Sequence, residues 1–134
     1  MAHPQMFDER DPLLARLREI ALALPGADEL VTHGRPAFRC GKLFAVYGGG
    51  VKLAPGRHEP HPHSLLFKPD PAEAPAYDED DRFFVPAYLG PHGWFGTDLD
   101  APGTDWREVA EIVDASYRTI APRRRLAELD ARAE

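Results

Sequence analysis

The sequence predicts an α+β domain. Three observations carry that prediction: amphipathic helix patterns lie at both ends of the chain, short β-compatible runs fill its middle, and two of those runs form a hairpin with its turn spelled out. At 134 residues and 43% hydrophobic content the chain suits a single domain, residues 1–134, able to bury a core without metal or disulfide staples.

The first element is a helix. Asp11 is a good N-cap with Pro12 at the first helical position, and Leu13, Leu17, Ile20 and Leu24, joined by Leu14 and Ala21, recur at three- and four-residue spacing until Pro25-Gly26. Arg16, Arg18 and Glu19 fall off that stripe and read as a solvated face. Glu29 to His33 forms a weak first edge strand before the turn residues Gly34, Arg35 and Pro36.

The hairpin follows. Ala37 to Cys40 and Leu43 to Tyr47 flank Gly41-Lys42, a two-residue loop with glycine first, as a type II′ turn requires. That turn sets Cys40 opposite Leu43, Arg39 opposite Phe44 and Phe38 opposite Ala45. Phe38, Cys40, Leu43, Ala45 and Tyr47 then share a core face, and Arg39 stands on the other. Gly48 to Gly50 are expected to break the second strand, with a little strand at Val51 to Leu53 and an irregular Pro/His loop from Pro55 to Pro62. Ser64 to Lys68 reads as a buried strand stopped by Pro69.

An acidic connection, Asp70 to Asp81, holds six carboxylates and no base, with room for a helical turn around Ala72 to Tyr77. Arg82 to Pro86 and Gly93 to Leu99 read as two further strands linked by Tyr88 to His92. Asp105 with Glu108 resembles a capping box, and Trp106, Val109, Val113, Tyr117 and Ile120, with Ile112 beside them, make the stripe of a helix that Pro122 breaks. A short charged helix, Arg123 to Ala133, has Leu126 and Leu129 to dock it.

Composition narrows the function. The lone cysteine, Cys40, excludes an internal disulfide and the multi-cysteine zinc patterns, and fits a reducing compartment. The first residues, MAHPQMFDERDP, hold no apolar run for a signal peptide, and no later run approaches the roughly 20 apolar residues of a membrane span. A soluble, cytoplasmic monomer without membrane contact is expected. Net charge is −6, yet Arg35 to Lys68 carries six bases (Arg35, Arg39, Lys42, Lys52, Arg57, Lys68) against one acid, Glu59. An acidic chain repels polyanions at long range, so contact with nucleic acid would be local, weak and salt-dependent.

No motif announces catalysis. His58, Glu59, His61 and His63 crowd imidazoles and a carboxylate together, but HExxH spacing is missed by one residue, and Pro60 and Pro62 forbid the helix, so a surface loop is favoured over a metal site. Cys40 lacks a local base and reads as a small core hydrophobe. The glycines match no phosphate cradle, and Ser64 and Ser116 lack a nucleophile-elbow context. Neither a catalytic residue nor a metal or cofactor is expected. An enzyme would need His33, His63 or His92 within hydrogen-bond reach of Cys40, Ser64 or an acid inside a cleft.

The run LPGADELVTHGRPAFRCGKLFAVY, then HPHSLLFKPDP, then GWFGTDLD followed by WREVAEIVDASYRTIAPRR, resembles the MmcQ/YjbR family of small bacterial proteins. The likeness extends from about Leu13 to Leu126. It rests on the order and spacing of LPG (Leu24 to Gly26), the hairpin residues Phe38, Arg39, Gly41, Lys42, Phe44 and Ala45, Trp94 with Asp98 to Asp100, and the Ser116-Tyr117 pair. It implies a curved antiparallel sheet of about five strands flanked by helices, in the order α-β-β-β-α-β-β-α, like that of type III secretion chaperones. The family is commonly labelled DNA-binding, with a double-wing arrangement, and some relatives bear a purine-biosynthesis label that their sequences do not support. Two features depart from the pattern: Trp94 follows His92-Gly93 rather than a basic residue and His, and a Pro/His loop lengthens the segment after the hairpin.

Three functions follow as expectations. The first is a non-enzymatic nucleic-acid-binding protein whose basic sheet face presents Arg39, Lys42, Lys52 and Lys68 with His92 and Trp94. The second is a small-ligand or peptide-binding module whose pocket is lined by Tyr47, Phe67, Phe84, Tyr88 and Trp94. The third is an enzyme.

Overall fold

The structure, a computed structural model, describes residues 4–133; residues 1–3, the start of the stretch inspected for a leader, and residue 134 lie outside them. Asp11 accepts a hydrogen bond from Leu13 N–H and opens helix α1 (Pro12–Leu22), whose Leu14, Leu17 and Ala21 are buried. The off-stripe arginines are engaged rather than idle. Arg18 makes a two-point bond to Glu29, at 2.9 Å through both Nε and Nη2, and Arg16 lies 4.2 Å over the Trp106 ring.

Strands β1 (Asp28–Thr32), β2 (Arg35–Cys40), β3 (Lys42–Ala54), β4 (Arg57–Phe67), β5 (Phe83–Phe84) and β6 (Phe95–Asp98) make one antiparallel sheet in the order β1-β2-β3-β4-β6-β5. Six strands thus replace the expected five or so. Helix α2 (Ala74–Glu79) follows a 3-10 turn at Pro71–Glu73, and α3 (Trp106–Ile120) and α4 (Arg123–Ala131) close the chain. Among the described residues, no helix is long and apolar enough to cross a membrane.

Both sheet faces are covered, by different means. Helices α1 and α3 pack on the first, where Phe38, Phe44, Ala45, Tyr47, Leu65, Phe67 and Phe95 meet Leu14, Leu17, Val113 and Tyr117. The second face carries Ala37, Val46, Leu66 and Trp94, with Leu30, Leu43, Phe84 and Leu89 packed around them. A single row crosses it: Leu30, Ala37, Val46, Leu66, Gly96 and Phe84 are successive register partners. The Phe84 ring closes over Gly96, where an added Cβ would fall 2.5 Å from its Cε1.

The hairpin differs from its expected form. Phe38 faces Ala45 as anticipated, but Arg39 pairs with Leu43 and Cys40 with Lys42, so Phe44 is an extra residue in β3. The bulge turns Phe44 and Ala45 both into the helix-covered core and sends Leu43 to the opposite face. Phe44 thereby meets Tyr117 edge to face, with centroids 5.4 Å apart.

The largest correction lies beyond Tyr47. Rather than breaking at Gly48 to Gly50, β3 runs on to Ala54, and the expected Pro/His loop is the outer half of β4. Gly48, at φ 92°, absorbs an irregularity in the pairing there. Pro60 and Pro62 are tolerated because β6 pairs with β4 only from Ser64 to Phe67, so no neighbouring strand asks for their missing N–H.

Candidate functional site

Residues 49–54 pair with 57–61 and, among the described residues, with no third strand, since β2 pairs with β3 only as far as Val46. The result is a two-stranded ribbon extending about 17 Å beyond the sheet. Its tip is exposed from Pro55 to Pro60. Lys52 stands directly opposite His58, which puts their side chains on one face of the ribbon, and Arg57 follows the turn. Among the described residues neither Lys52 nor Arg57 makes an ion pair, whereas Arg18, Arg39, Arg82, Arg118 and Arg125 all do.

A loop braces the ribbon from the side. Ala87 N–H donates to the outward-facing Gly50 carbonyl at 2.8 Å. The next residue, Tyr88, has φ 68°, and Leu89 N–H reaches back across it to the Ala87 carbonyl at 2.8 Å. That is a γ-turn of the strained, positive-φ hand, and such a backbone costs about 1–3 kcal/mol for a bulky residue. Tyr88 is 82% exposed, with its ring 16° from parallel to that of His58 and centroids 6.2 Å apart.

The ribbon root carries two histidine–carboxylate clusters. His61 has Asp98 at Nδ1 (2.8 Å) and Glu59 at Nε2 (2.9 Å), and its ring stacks on Phe84 with centroids 4.2 Å apart. On the other face, the Tyr47 hydroxyl donates to Asp11 Oδ2, and His63 Nδ1 lies 2.9 Å from both groups. Burial alone would raise the Asp11 pKa; the bonds from Tyr47, Leu13 N–H and His63 outweigh it and hold the carboxyl below its ordinary value. Burial first, then Asp11 and Asp100, push the Tyr47 hydroxyl far up, so it stays a neutral donor. Arg35 sits beside this root with its guanidinium over Gly48, where a Cβ would have no room. It is half-buried, burial lowers its pKa, and among the described residues it has no carboxylate partner.

The expected basic face does not assemble. Arg39 is bonded to its cross-strand neighbour Asp28 at 3.0 Å. Lys42 and Lys52 sit at opposite ends of β3, about 33 Å apart along the strand. Lys68 lies at the Lys42 end with its stem passing Gly93, and His92 is exposed at the end of a 3-10 turn. Trp94 is 6% exposed and packed on Ala37, Val46 and Leu66, so its ring is not offered to a ligand. The aromatic pocket set divides as well: Tyr47 and Phe67 are buried under the helices, Phe84 and Trp94 lie on the far face, and Tyr88 is in solvent.

Of the pairings an enzyme would need, His63 lies within hydrogen-bond reach of the buried Asp11. Cys40 instead directs its Sγ to the Pro25 carbonyl at 3.6 Å, and Ser64 donates to the His61 carbonyl at 2.8 Å. Among the described residues no three His, Cys, Asp or Glu side chains converge on a metal position. Sequence reasoning counted Arg35 and Arg57 among the bases but gave neither a role. The signal that could have singled out Arg57 alongside Lys52 was its place directly after Pro55-Gly56, a turn dipeptide.

No curated protein matches the sequence. The YjbR family model matches residues 22–119, from the end of α1 through the whole sheet to the last turn of α3. The match covers well over half of the chain and contains the hairpin, the ribbon and its root, and the helix that packs behind them. The chain belongs to the YjbR family.

Proposed function

We propose that this is a non-enzymatic nucleic-acid-binding protein whose contact element is the β3–β4 ribbon rather than a broad sheet face. The observation that carries this reading is the projecting two-stranded tip with Lys52, Arg57 and His58 exposed and, among the described residues, without carboxylate partners, on a protein whose net charge is −6. A ribbon of this kind has the width to enter a DNA major groove, and its charges are placed to meet phosphates. The acidic remainder keeps binding local, and salt screens it strongly.

Fluorescence anisotropy with labelled duplex and single-stranded oligonucleotides tests it. Wild type binds at low salt and releases as salt rises. The double variant Lys52→Ala, Arg57→Ala loses most of that affinity, and its log–log salt slope falls by about 0.9 for each duplex phosphate contact removed. Lys42→Ala, at the other end of β3, binds like wild type. Equal binding by wild type and the ribbon variant, or no binding at low salt, overturns the proposal.

A second reading, acid–base chemistry at His63, rests on its contact with Asp11. Against it, Tyr47 is held neutral, and Ser64, next in the chain, is fully buried with its hydroxyl donated to the His61 carbonyl. The Asp11, Tyr47 and His63 cluster is accounted for by its structural work, capping α1 and tying it to the ribbon root.

A further inference from the structure

Tyr88 is the feature of this molecule that folding alone does not explain. Its neighbours are anchored: Pro86 is fully buried, Ala87 N–H is bonded to the ribbon at Gly50, Gly90 N–H donates to the Pro86 carbonyl at 2.9 Å, and Leu89 packs on the second-face cluster. Between those anchors the backbone takes a strained γ-turn whose effect is to hold a large aromatic side chain 82% in solvent. Strain kept at an exposed aromatic, with no burial to offset it, is the pattern of a prepositioned ligand contact.

Its surroundings specify the ligand. The near-parallel His58 ring flanks Tyr88, and Lys52 stands directly across the ribbon from His58. Arg57 is next in the chain. An aromatic face flanked by His58, with Lys52 across the ribbon from that imidazole and Arg57 at the tip, matches one chemical class: an unstacked nucleobase joined to a phosphate backbone. In a duplex the base faces are hidden in the stack, and such a platform finds only edges and phosphates.

We propose that Tyr88 and His58 form a base-stacking platform, so that the ribbon prefers single-stranded nucleic acid, with an unpaired base on Tyr88 while Lys52 and Arg57 hold the adjoining phosphates. This inference rests on the nucleic-acid reading above and goes further by naming the strand state and the stacking residue.

The test compares a thymidine 12-mer with an abasic 12-mer of the same charge, and both with a duplex, using wild type, Tyr88→Ala and Tyr88→Phe. Stacking on an aromatic side chain is worth roughly five- to 150-fold per base. Wild type therefore prefers the thymidine strand to the abasic strand by at least about fivefold. Tyr88→Ala removes that preference and leaves the salt slope and duplex affinity unchanged, while Tyr88→Phe retains it. Binding by wild type with no preference for bases over abasic sites, or with a preference that Tyr88→Ala keeps, overturns the platform and leaves the ribbon reading standing. Binding to none of the three oligonucleotides overturns both.

Discussion

Asp11 performs three tasks with one carboxylate, and replacing it by alanine separates their contributions to stability. It caps α1 by accepting Leu13 N–H at 2.9 Å, accepts the Tyr47 hydroxyl, and faces His63 Nδ1 at 2.9 Å. Losing an N-cap of this kind costs about 1 kcal/mol. Tyr47 is 1% exposed, so its hydroxyl cannot turn to water, and stripping a buried donor of a charged acceptor costs about 1–3 kcal/mol. His63 remains within reach of that hydroxyl and trims the second figure. Together these give about 2–4 kcal/mol for Asp11→Ala, read as a lower urea midpoint at unchanged m-value. A cycle with Tyr47→Phe isolates the pair, since each single change removes the same bond.

The pH dependence has a definite sign. A carboxyl held below its ordinary value of 3.8 in the folded state contributes stability that is present above that value and lost as pH falls through the folded one. Wild type therefore weakens more steeply below about pH 4 than Asp11→Asn, which keeps a capping oxygen but no charge. Asp11→Ala within about 0.5 kcal/mol of wild type, or identical acid limbs for wild type and Asp11→Asn, would refute this reasoning.

Three other outcomes are expected from unfolding measurements. Ser116, fully buried, donates to the Phe44 carbonyl at 2.7 Å and accepts Lys68 N–H at 2.9 Å; Ser116→Ala orphans both groups and lowers stability by about 2–3 kcal/mol. Gly96→Ala would drive a methyl group into the Phe84 ring and to 2.8 Å from Leu66 Cδ2. It costs roughly 1–3 kcal/mol and shifts the His61 ring-proton resonances as the Phe84 stack is lost, a change visible by NMR. Arg39→Ala changes the unfolding free energy by less than about 0.5 kcal/mol, because its pair with Asp28 is exposed on both sides.

Local chemistry made the helices legible. Asp11-Pro12 and Asp105 are caps whatever surrounds them, and three- and four-residue apolar spacing can bury only one helix stripe. The sheet was legible where a turn residue and alternation agreed, as at Phe38 opposite Ala45. The Phe44 bulge was not, because its cause is a ring on α3, 73 residues away in the chain, that Phe44 must meet. The ribbon was missed for a related reason. Glycines and prolines forbid a central strand, and only the register shows that residues 57–62 have no strand paired on their outer edge among the described residues.

The candidate site divides along the same line. An α+β domain of this family's pattern and a segment richer in bases than the rest could be read from the chain alone, because composition and short-range spacing do not depend on how it closes. Tertiary structure decided which of those bases pair, which face each occupies, and that Tyr88 rather than Trp94 is the aromatic in solvent. Strand pairing and the crossing of the 85–93 loop set side chains distant in sequence against one another, and their separation in space is what decides whether a charge is neutralised or a ring is buried.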